Sequence, residues 1–364
     1  KGFGAKGDGV TDDTAAIQAA IDAAYSSGKG VVFIPPGEYV VSSTIDTKGV
    51  PILGSGMYST ILHYTGAGYC LRSPTSTPVF GYGTISNLRI KGDNQGKGIL
   101  LDNTHEGFIE HVFFADLDVG IELINSYTNR IDKCRFYNTD IGVLLGTASN
   151  AIALTNLIMG NCSDCGILIK NGSGIWINNS QFENSGAGVK CIDSADSHPF
   201  VNGLVLNMCY GEALTNGFLY VSFTETSAGS RIFGLSIENC YIHQTDTANY
   251  GINIENVSPS AVRGSLSNVF IFNAVTAGVR ITRGHIALNN VWHWDYSSWA
   301  EKTLLSSDSS QVTVLKSNTD IIQIEKGFFK HNVPGAGYRV VTPDGTKTYE
   351  IYVDNTGAVV AKLV

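Results

Sequence analysis

The sequence has little proline, little charge and no long apolar run. Only 9 of its 364 residues are proline and 15% are charged, whereas 41 are glycine. No apolar segment approaches the roughly 20 residues that cross a membrane, so we expect no membrane insertion. The net charge of −8 argues against nucleic acid as a partner. Abundant glycine, with frequent asparagine and serine, is typical of many short strands joined by tight turns.

The seven cysteines cannot all pair with one another, and only Cys162 and Cys165 lie close together in the sequence. A structural zinc site would need a second such pair, and the sequence has none. Because free cysteine is among the most buried residue types, we predict that the cysteines are unpaired, buried and structural. No dense group of aspartates demands calcium. We therefore expect no metal and no cofactor.

One segment near the start is helical in character: KGFGAKGDGVTDDTAAIQAAIDAA. Thr11 or Asp12 can serve as the N-cap, Asp12 and Asp13 lie favourably at the positive end, and alanine dominates the interior. An apolar stripe follows at helical spacing, formed by Ile17, Ala20, Ile21 and Ala24. A single short amphipathic helix must bury this stripe against the rest of the chain.

The rest of the sequence is built on one repeated unit. Each unit has asparagine, apolar, variable, apolar, variable and polar residues, then a short linker, a glycine and a second alternating strand. Successive units lie 22 to 32 residues apart. The units begin at Asn87, His111, Lys133, Asn156, Asn179, Asn207, Asn239, Asn268 and Asn290. Alternation with period 2 in repeats of this length, without a helix in each, predicts the coils of a parallel β-helix.

We predict an all-β fold: a right-handed, single-stranded parallel β-helix with an N-terminal α-helical cap and a small C-terminal β region. Stacked coils place equivalent residues about 4.8 Å apart, so the asparagine column should form a hydrogen-bonded ladder at a tight turn. The opening helix would cover the open end of the first coil. The predicted parts are a capping segment at 1–30, the β-helix at 31–320 and a C-terminal strand region at 321–364.

Three segments carry a resemblance to a known family: FGAKGDGVTDDTAAIQAAIDAA, GKGVVFIPPGEYVV and GSGMYSTILHY. Together they resemble the N-terminal signature of the pectate-lyase-like β-helix superfamily, which includes phage tailspike depolymerases, polygalacturonase-like hydrolases and mannuronan epimerases. The signature contains no catalytic group, so the resemblance implies the fold and a polysaccharide substrate rather than a reaction. The Asp-Pro-His-type cluster of the epimerases is not found, since SHPF at Ser197 matches it poorly.

Among these relatives, the chain most resembles the tailspikes. Its C-terminal segment is similar to the C-terminal strands of tailspike trimers. This resemblance implies a homotrimer on a phage virion that acts on polysaccharide at the bacterial cell surface, or an extracellular protein if it is not viral. A ladder of outward leucines on the second strand also favours an oligomer, and so does an aromatic ring near the C-terminal end. The leucines are Leu100, Leu144, Leu168 and Leu219, and the ring is Phe270, Phe272, Trp292 and Trp294. The alternative is that a loop or a further domain covers them. The chain begins without methionine, so we expect it to be a fragment, and the sequence leaves open whether a leader or anchor domain is missing from it.

The outward residues of the first strand in each unit indicate where a glycan would bind. Large polar and aromatic side chains occupy the middle units, with Gly160 and Gly211 opening gaps between them. The candidate substrate-binding residues on these strands are Arg135, Tyr137, Gln181 and Tyr241. The loops lengthen in the same units, and they add Asp193, Asp196, His198 and Glu225. The alternative is an ordinary polar surface beside solvated loops.

Glycoside hydrolysis needs two carboxyl groups, which neighbouring coils of a β-helix can supply. Glu183 and Glu212 lie on adjacent coils, displaced by one column, and are the predicted catalytic pair. Glu212 falls in a column that usually holds asparagine, so a ladder role is its alternative. His243, two coils from Glu183, would tune a carboxyl pKa or hold the substrate. Glu110 and Asp132 form another pair on adjacent coils, among shorter turns.

Three functions remain open from the sequence. The first is a phage tailspike depolymerase that hydrolyses a bacterial capsular or O-antigen polysaccharide. The second is a lyase or epimerase of uronate polymers, in which Arg135 or Lys190 would neutralise the uronate. Tyr137 or His243 would then remove the proton. The third is a non-catalytic glycan-binding adhesin or structural fibre, against which the acidic residues beside the lengthened loops argue.

Overall fold

The structure is a computed structural model that describes residues 2–28, 30–73, 79–80, 83–193, 200–223, 229–245, 248–256 and 261–298, and the strands named below beyond residue 304. A helix spans Thr14–Ser26. The strands of the first coils are Asp8–Asp12, Val32–Phe33, Gly37–Val41, Ile45–Asp46, Ile52–Leu53, Thr60–Tyr64, Tyr69–Arg72, Val79–Phe80, Ile85–Lys91, Lys97–Asp102 and Thr104–His105.

The strands of the middle coils are Phe108–Ile124, Arg130–Asp132, Arg135–Leu145, Ser149–Thr155, Ile158–Gly160, Cys165–Ile169, Gly172–Asn178, Gln181–Glu183, Ala187–Ile192, Phe200–Asn207, Tyr210–Glu212, Gly217–Phe223, Arg231–Glu238, Tyr241–His243, Tyr250–Asn256, Ala261–Phe272, Ala277–Ile281, Arg283–Trp294, Leu305–Ser306 and Gln311–Lys316. The final strands are Asp320–Glu325, Phe328–His331, Gly337–Val341, Thr348–Val353 and Val359–Leu363.

Each coil contributes to three parallel sheets, which we name A, B and C in the order that one coil visits them. Three consecutive strands of sheet A are Ile158–Gly160, Gln181–Glu183 and Tyr210–Glu212. Their counterparts in sheet B are Cys165–Ile169, Ala187–Ile192 and Gly217–Phe223. Those in sheet C are Gly172–Asn178, Phe200–Asn207 and Arg231–Glu238. This is the predicted right-handed parallel β-helix.

A single residue with a left-handed backbone makes the corner at which each coil leaves sheet C and enters sheet A. These residues have φ between 48° and 57°. They are Asn87, His111, Lys133, Asn156, Asn179, Met208, Asn239, Asn268 and Asn290. Asparagine accepts this conformation better than most residues. Its amide also bonds the neighbouring coil, as Asn290 does to Asn268 at 2.8 Å and Asn268 to Asn239 at 3.1 Å.

One unit of the repeat is displaced by a residue from the predicted alignment. The left-handed corner residue is Met208, and Asn207 instead ends the strand of sheet C, although its side chain still accepts a bond from Asn239 at 3.0 Å. The predicted outward residues Cys209 and Gly211 therefore face the core. A Cβ on Gly211 would lie 2.7 Å from the ring of Phe218, so this glycine makes room for a core side chain and opens no surface gap.

The interior is filled by columns of apolar side chains, one from each coil. Phe114 and Phe136, on adjacent coils, stack with their ring centroids 4.9 Å apart and their planes inclined by 9°. Phe182 and Phe218 meet edge to face at 5.8 Å. A densely packed interior resists deformation. Residues on the outer face of a sheet are therefore held at a fixed distance from their counterparts in the next coil.

The helix begins slightly later than predicted. Its N-cap is Asp13, whereas the sequence indicated Thr11 or Asp12. The reason is that Asp8–Asp12 forms a strand that pairs in parallel with Gly37–Val41, which keeps these residues extended. This strand lies inside the predicted capping segment 1–30. The division of the chain at residues 30 and 320 stays a prediction.

The apolar stripe of the helix is buried as predicted. Ile17 and Ile21 belong to the main core, and Ala20 and Ala24 pack against it. The helix contacts the sheet C strand Val32–Phe33 and thereby covers the end of the first coil. The N-terminal helical cap of the predicted fold is confirmed.

The predicted leucine ladder of sheet B is not an exposed patch. Leu100, Leu144 and Leu168 are only 5–7% exposed. Leu219 is fully buried and faces the core, because Tyr220 occupies the outward position in that coil. These leucines therefore form no exposed apolar patch that an oligomer would cover, and the trimer stays a prediction.

The prediction for the cysteines is confirmed, since all seven are free and buried. Burial alone raises the pKa of the Cys191 thiol to about 12, so it stays neutral at physiological pH. After the last parallel pair, the chain changes to antiparallel strands, beginning with Gln311–Lys316 against Asp320–Glu325. Gly337–Val341, Thr348–Val353 and Val359–Leu363 form a separate antiparallel sheet.

We expect Asn268→Ala to lower the free energy of unfolding by about 1–3 kcal/mol, because alanine tolerates the left-handed corner poorly and both ladder bonds are lost. Asn268→Gly should lower it less, since glycine adopts this backbone freely. Urea unfolding measures both variants, with the exposed strand residue Asn289, changed to alanine, as the control. Equal losses for the alanine and glycine variants would contradict the conformational part of this argument.

The corner ladder meets a carboxylate at Asp132. Thr155 Oγ1 and Asn156 Nδ2 each donate to Asp132 Oδ1 at 2.7 Å. Burial raises the pKa of Asp132, but these two bonds and the charges of Arg130 and Lys133 outweigh it, so the net pKa lies below its ordinary value.

Because the folded pKa of Asp132 lies below the unfolded value, its carboxylate stabilises the fold above about pH 4, and this contribution is lost as the pH falls through the folded pKa. Asp132→Asn should therefore lower the urea midpoint at pH 7, and its difference from wild type should shrink below about pH 4. Exposed Glu106, changed to Gln, is the control. A difference for Asp132→Asn that is independent of pH would refute the role of the charge.

Candidate functional site

The outer face of sheet A consists of two columns of side chains, with one residue of each column on every rung. Successive rungs lie about 4.8 Å apart. The first column contains Arg89, Phe113, Arg135, Ile158, Gln181, Tyr210, Tyr241, Phe270 and Trp292. The second column contains Lys91, Ala115, Tyr137, Gly160, Glu183, Glu212, His243, Phe272 and Trp294.

Glu183 and Glu212 lie in the same column, directly opposite each other in the parallel ladder, and not one column apart as predicted. His243 is the next residue of that column, so it neighbours Glu212. Glu212 takes no part in the asparagine corner, because Ala213 is the left-handed residue after it, with φ 53°. The structure thus brings the three predicted catalytic residues together on consecutive rungs.

Each of the two carboxylates has a donor from its own rung. Gln181 Nε2 donates to Glu183 Oε1. Tyr210 Oη donates to Glu212 Oε2 at 2.5 Å. On the other side, His243 Nδ1 lies 3.8 Å from Glu212 Oε1. Because the side chains of Glu212 and His243 are 36% and 21% exposed, a ligand on the sheet can reach both.

Tyr210 is held as a hydrogen-bond donor. Burial raises the pKa of its phenol, and the bond to Glu212 and the charge of Glu183 raise it further. Burial also raises the pKa of Tyr241, with Tyr296 and Glu212 adding to the shift. Both phenols are therefore protonated at neutral pH, so neither is ready to act as a base.

An aromatic cluster adjoins the acids on the C-terminal side. The rings of Tyr210 and Tyr241 stack with centroids 5.7 Å apart and planes 14° apart, and Tyr241 approaches Phe272 at 5.1 Å. Tyr296 lies 4.8 Å from the ring of His243. Sequence analysis missed Tyr210, Phe272 and Tyr296 as site residues. The outward position of Tyr210 would have followed from starting its unit at Met208.

The predicted residues Arg135 and Tyr137 share one rung on the N-terminal side of the acids. Arg135 Nη1 donates to Tyr58 Oη at 2.8 Å, and the Tyr137 ring is 48% exposed. Gly160 separates Tyr137 from Glu183 in the second column, and this rung has no side chain there. The predicted gap at Gly160 thus lies between two site residues.

Other predicted residues are not brought to this face. Asp193 follows a strand of sheet B and accepts a bond from Ser230 Oγ at 3.3 Å. Lys190 is also on sheet B, where its ammonium contacts Asp164 Oδ1, so it cannot serve as the cation beside His243. The pair Glu110 and Asp132 lies on sheet C. The loop residues Asp196, His198 and Glu225 lie outside the described residues.

Within the described ranges, no group of three or more histidine, cysteine, aspartate or glutamate side chains could hold a metal ion. The helix of the described chain is also too short and too polar to cross a membrane. The middle rungs of sheet A present two carboxylates, an imidazole, two phenols and an amide, and the rungs before them present Arg89, Lys91 and Arg135.

Sequence comparison finds two family models and several curated relatives. Residues 1–77 match the rhamnogalacturonase A/epimerase, pectate lyase-like family, and residues 49–205 match the right-handed β-helix region. Mannuronan C5-epimerase AlgE2 of Azotobacter vinelandii is 32% identical over 230 residues, which cover 58% of this chain and 21% of that protein. Alginate lyase 7 of the same organism is 39% identical over 140 residues, 34% of this chain and 16% of that one. The chain spans about a fifth of these relatives.

Structure comparison finds phage proteins with the same architecture. ORF18 of Geobacillus virus E2 has a TM-score of 0.62 at 18% identity. The match covers 100% of this chain and 75% of the ORF18 chain. The Dettilon tailspike protein has a TM-score of 0.59 at 13% identity, with coverage of 99% and 77%. At these identities the likeness concerns the fold alone. The two family models match residues that carry the predicted resemblance, so the similarity of the chain to the pectate-lyase-like superfamily of right-handed parallel β-helices is confirmed.

Proposed function

We propose that this chain is the body of a phage tailspike depolymerase that binds and hydrolyses a bacterial capsular or O-antigen polysaccharide. The observation that carries the proposal is the pair Glu183 and Glu212, opposite each other on adjacent rungs of an accessible sheet. The curated relatives are named as epimerases and a lyase of polysaccharides, and structures of the same fold include a phage tailspike. Both support a glycan substrate, and the second supports a place on a virion.

The spacing of adjacent rungs suits a retaining mechanism, which needs carboxyl groups about 5–5.5 Å apart. The carboxylate of Glu212 accepts a hydrogen bond from the Tyr210 hydroxyl and lies beside His243, so it is held in position from two sides. We assign Glu212 as the nucleophile that forms the glycosyl–enzyme bond. Glu183 would protonate the leaving oxygen and then deprotonate the attacking water. His243 would position Glu212.

Glu183→Gln and Glu212→Gln should each lower kcat by a factor of about 10² to 10⁴, because each removes a proton donor or a nucleophile and keeps the side-chain shape. The release of new reducing ends from purified capsular and O-antigen polysaccharides measures this. Glu238→Gln, on the outer face of sheet C, is the matched control and should retain activity. Full activity in both site variants would refute the assignment even if the protein cleaves the glycan.

Lyase or epimerase action on a uronate polymer is the second candidate, since the curated relatives bear those names. In that case Tyr210 or His243 would have to exchange a proton with the sugar carbon. Tyr210 is poorly suited as the base, because its phenol is neutral and already donates to Glu212.

The two reactions leave different products. Hydrolysis creates reducing ends without ultraviolet absorbance, whereas elimination creates an unsaturated uronate that absorbs. We expect reducing ends alone. Absorbance that rises with the reducing ends would establish the lyase. A bound glycan with neither signal, and no change in its uronate composition, would indicate an adhesin.

The trimer and the virion location are parts of the same proposal. Sedimentation of the purified chain should give three times the monomer mass if it assembles as the tailspike likeness suggests. A monomer that still cleaves glycan would separate the catalytic proposal from the assembly.

A further inference from the structure

The outer face of sheet A divides into three zones of different chemistry along the helix axis. The N-terminal rungs form a cationic zone that contains Arg89, Lys91 and Arg135. The acid zone contains Glu183 and Glu212. The C-terminal rungs form an aromatic zone that contains Tyr241, Phe270, Phe272, Trp292 and Trp294. This order becomes visible only when the unit at Met208 is in its correct register.

The cations of the first zone form no ion pair with any residue that the structure describes. The outward positions of the four rungs from Arg89 to Ile158 contain no carboxylate. Arg89 lies with its guanidinium 4.6 Å from the Phe113 ring centroid, and Arg135 bonds the Tyr58 hydroxyl. Neither they nor Lys91 belongs to a salt bridge within the described chain. In a protein of net charge −8, this zone is a local site for anions.

The cations recur at an interval that a polymer can match. Arg89 and Arg135 are in the same column, two rungs apart, which corresponds to about 10 Å. Arg135 is in turn two rungs from Gln181, on the rung of Glu183. The residue between Arg89 and Arg135 is Phe113, and the residue between Arg135 and Gln181 is Ile158. Cationic and apolar positions therefore alternate along the first column from Arg89 to Ile158, and the next residue, Gln181, is polar and uncharged.

The acid and aromatic zones offer no lysine or arginine at their outward positions. A uronate at the catalytic pair would lie against the Glu212 carboxylate with no lysine or arginine at the outward positions beside it, which like-charge repulsion disfavours. Tyr210 and Tyr241 stack on each other, so the apolar ring edges that they present at the surface suit the apolar face of an uncharged sugar. The sugar that reacts, and the one beyond it, should therefore be neutral.

We propose that sheet A binds a polysaccharide in which carboxylated sugars alternate with neutral ones. It lies along the helix axis, with carboxylates on Arg89, Lys91 and Arg135, a neutral sugar at Glu183 and Glu212, and a further neutral face on the aromatic zone. The inference rests on the proposed function and deepens it, because it names the substrate class and its direction. It also excludes a homopolymer of uronates as the preferred substrate.

Affinity electrophoresis of the full chain with Glu183→Gln and Glu212→Gln measures binding without cleavage. The gels contain alternating polymers (hyaluronan and capsular polysaccharides of uronate and neutral sugars), the same polymers with their carboxyls chemically reduced, or polymannuronate. We expect retention by at least one alternating polymer, loss of retention after reduction, and weaker retention by polymannuronate. Retention should fall as the salt concentration rises, because salt screens the attraction between exposed charges. Equal retention by polymannuronate or by the reduced polymer, or no retention in any gel, overturns the inference.

Single substitutions then locate the zones. Arg89→Gln and Arg135→Gln should each weaken retention by the alternating polymer about two- to fivefold, the range of an exposed ion pair. Lys170→Gln, an exposed lysine at the end of a strand of sheet B, should leave it unchanged. Tyr241→Ala should weaken retention by the native polymer, and the retention that remains should still fall with salt. Variants of Arg89 and Arg135 that behave like Lys170→Gln would refute the cationic zone.

The outcomes separate the two proposals. Cleavage that depends on Glu183 and Glu212 but binding that ignores the polymer's carboxylates would keep the hydrolase and refute this inference. Carboxylate-dependent binding without any cleavage would keep the binding zones and refute the hydrolase.

Discussion

The structure depends on one backbone corner in each coil, where a single left-handed residue ends sheet C and begins sheet A. The corner fixes which residues of the following three-residue rung face out. Because side chains alternate along a strand, a slip of one residue would exchange the outward and inward sets of a whole rung. The hydrogen-bonded asparagines, as between Asn179 and Asn156 at 2.7 Å, hold neighbouring corners in line. The columns of the candidate site therefore depend on the ladder at their edge.

This constraint explains how far the sequence could predict the fold. Asparagine marks the corner so often that the repeat, the parallel β-helix and most of the outward columns followed from its spacing. The prediction failed at Met208, because methionine is not a residue typical of a left-handed corner and an asparagine, Asn207, directly precedes it. The preceding coil indicates the correct alignment. It has asparagine at both 178 and 179, and Asn207 pairs with Asn178, the last residue of the strand, and not with the corner residue Asn179. Following the alternation of polar and apolar residues from Tyr210 to Glu212 would have corrected the register.

Local sequence was a poorer guide to which residues meet across coils. The lengthened loops follow sheet B, and Asp193 lies at that corner, whereas the acids are on sheet A. Loop length alone does not tell which corner of the cross-section a residue occupies. The leucines of sheet B face outward, yet they are hardly exposed. Leu144 and Leu168 pack in one apolar cluster with Val119, Cys165 and Ala187. Direction of a side chain and its exposure are separate quantities here.

The rigid stack also limits which residues can act on the same sugar. Tyr137 and His243 are four rungs apart in one column, about 19 Å at the usual spacing, and a packed interior does not let these rungs approach. Tyr137 and His243 were alternative candidates for the base that removes a proton from the sugar. Because of this distance, they cannot both act on the same sugar ring. Glu183 and Glu212 have the opposite relation, because the pairing that builds the sheet is itself what sets their carboxylates side by side. In this fold a two-carboxylate site needs no special loop: two glutamates at the same position of adjacent rungs are sufficient.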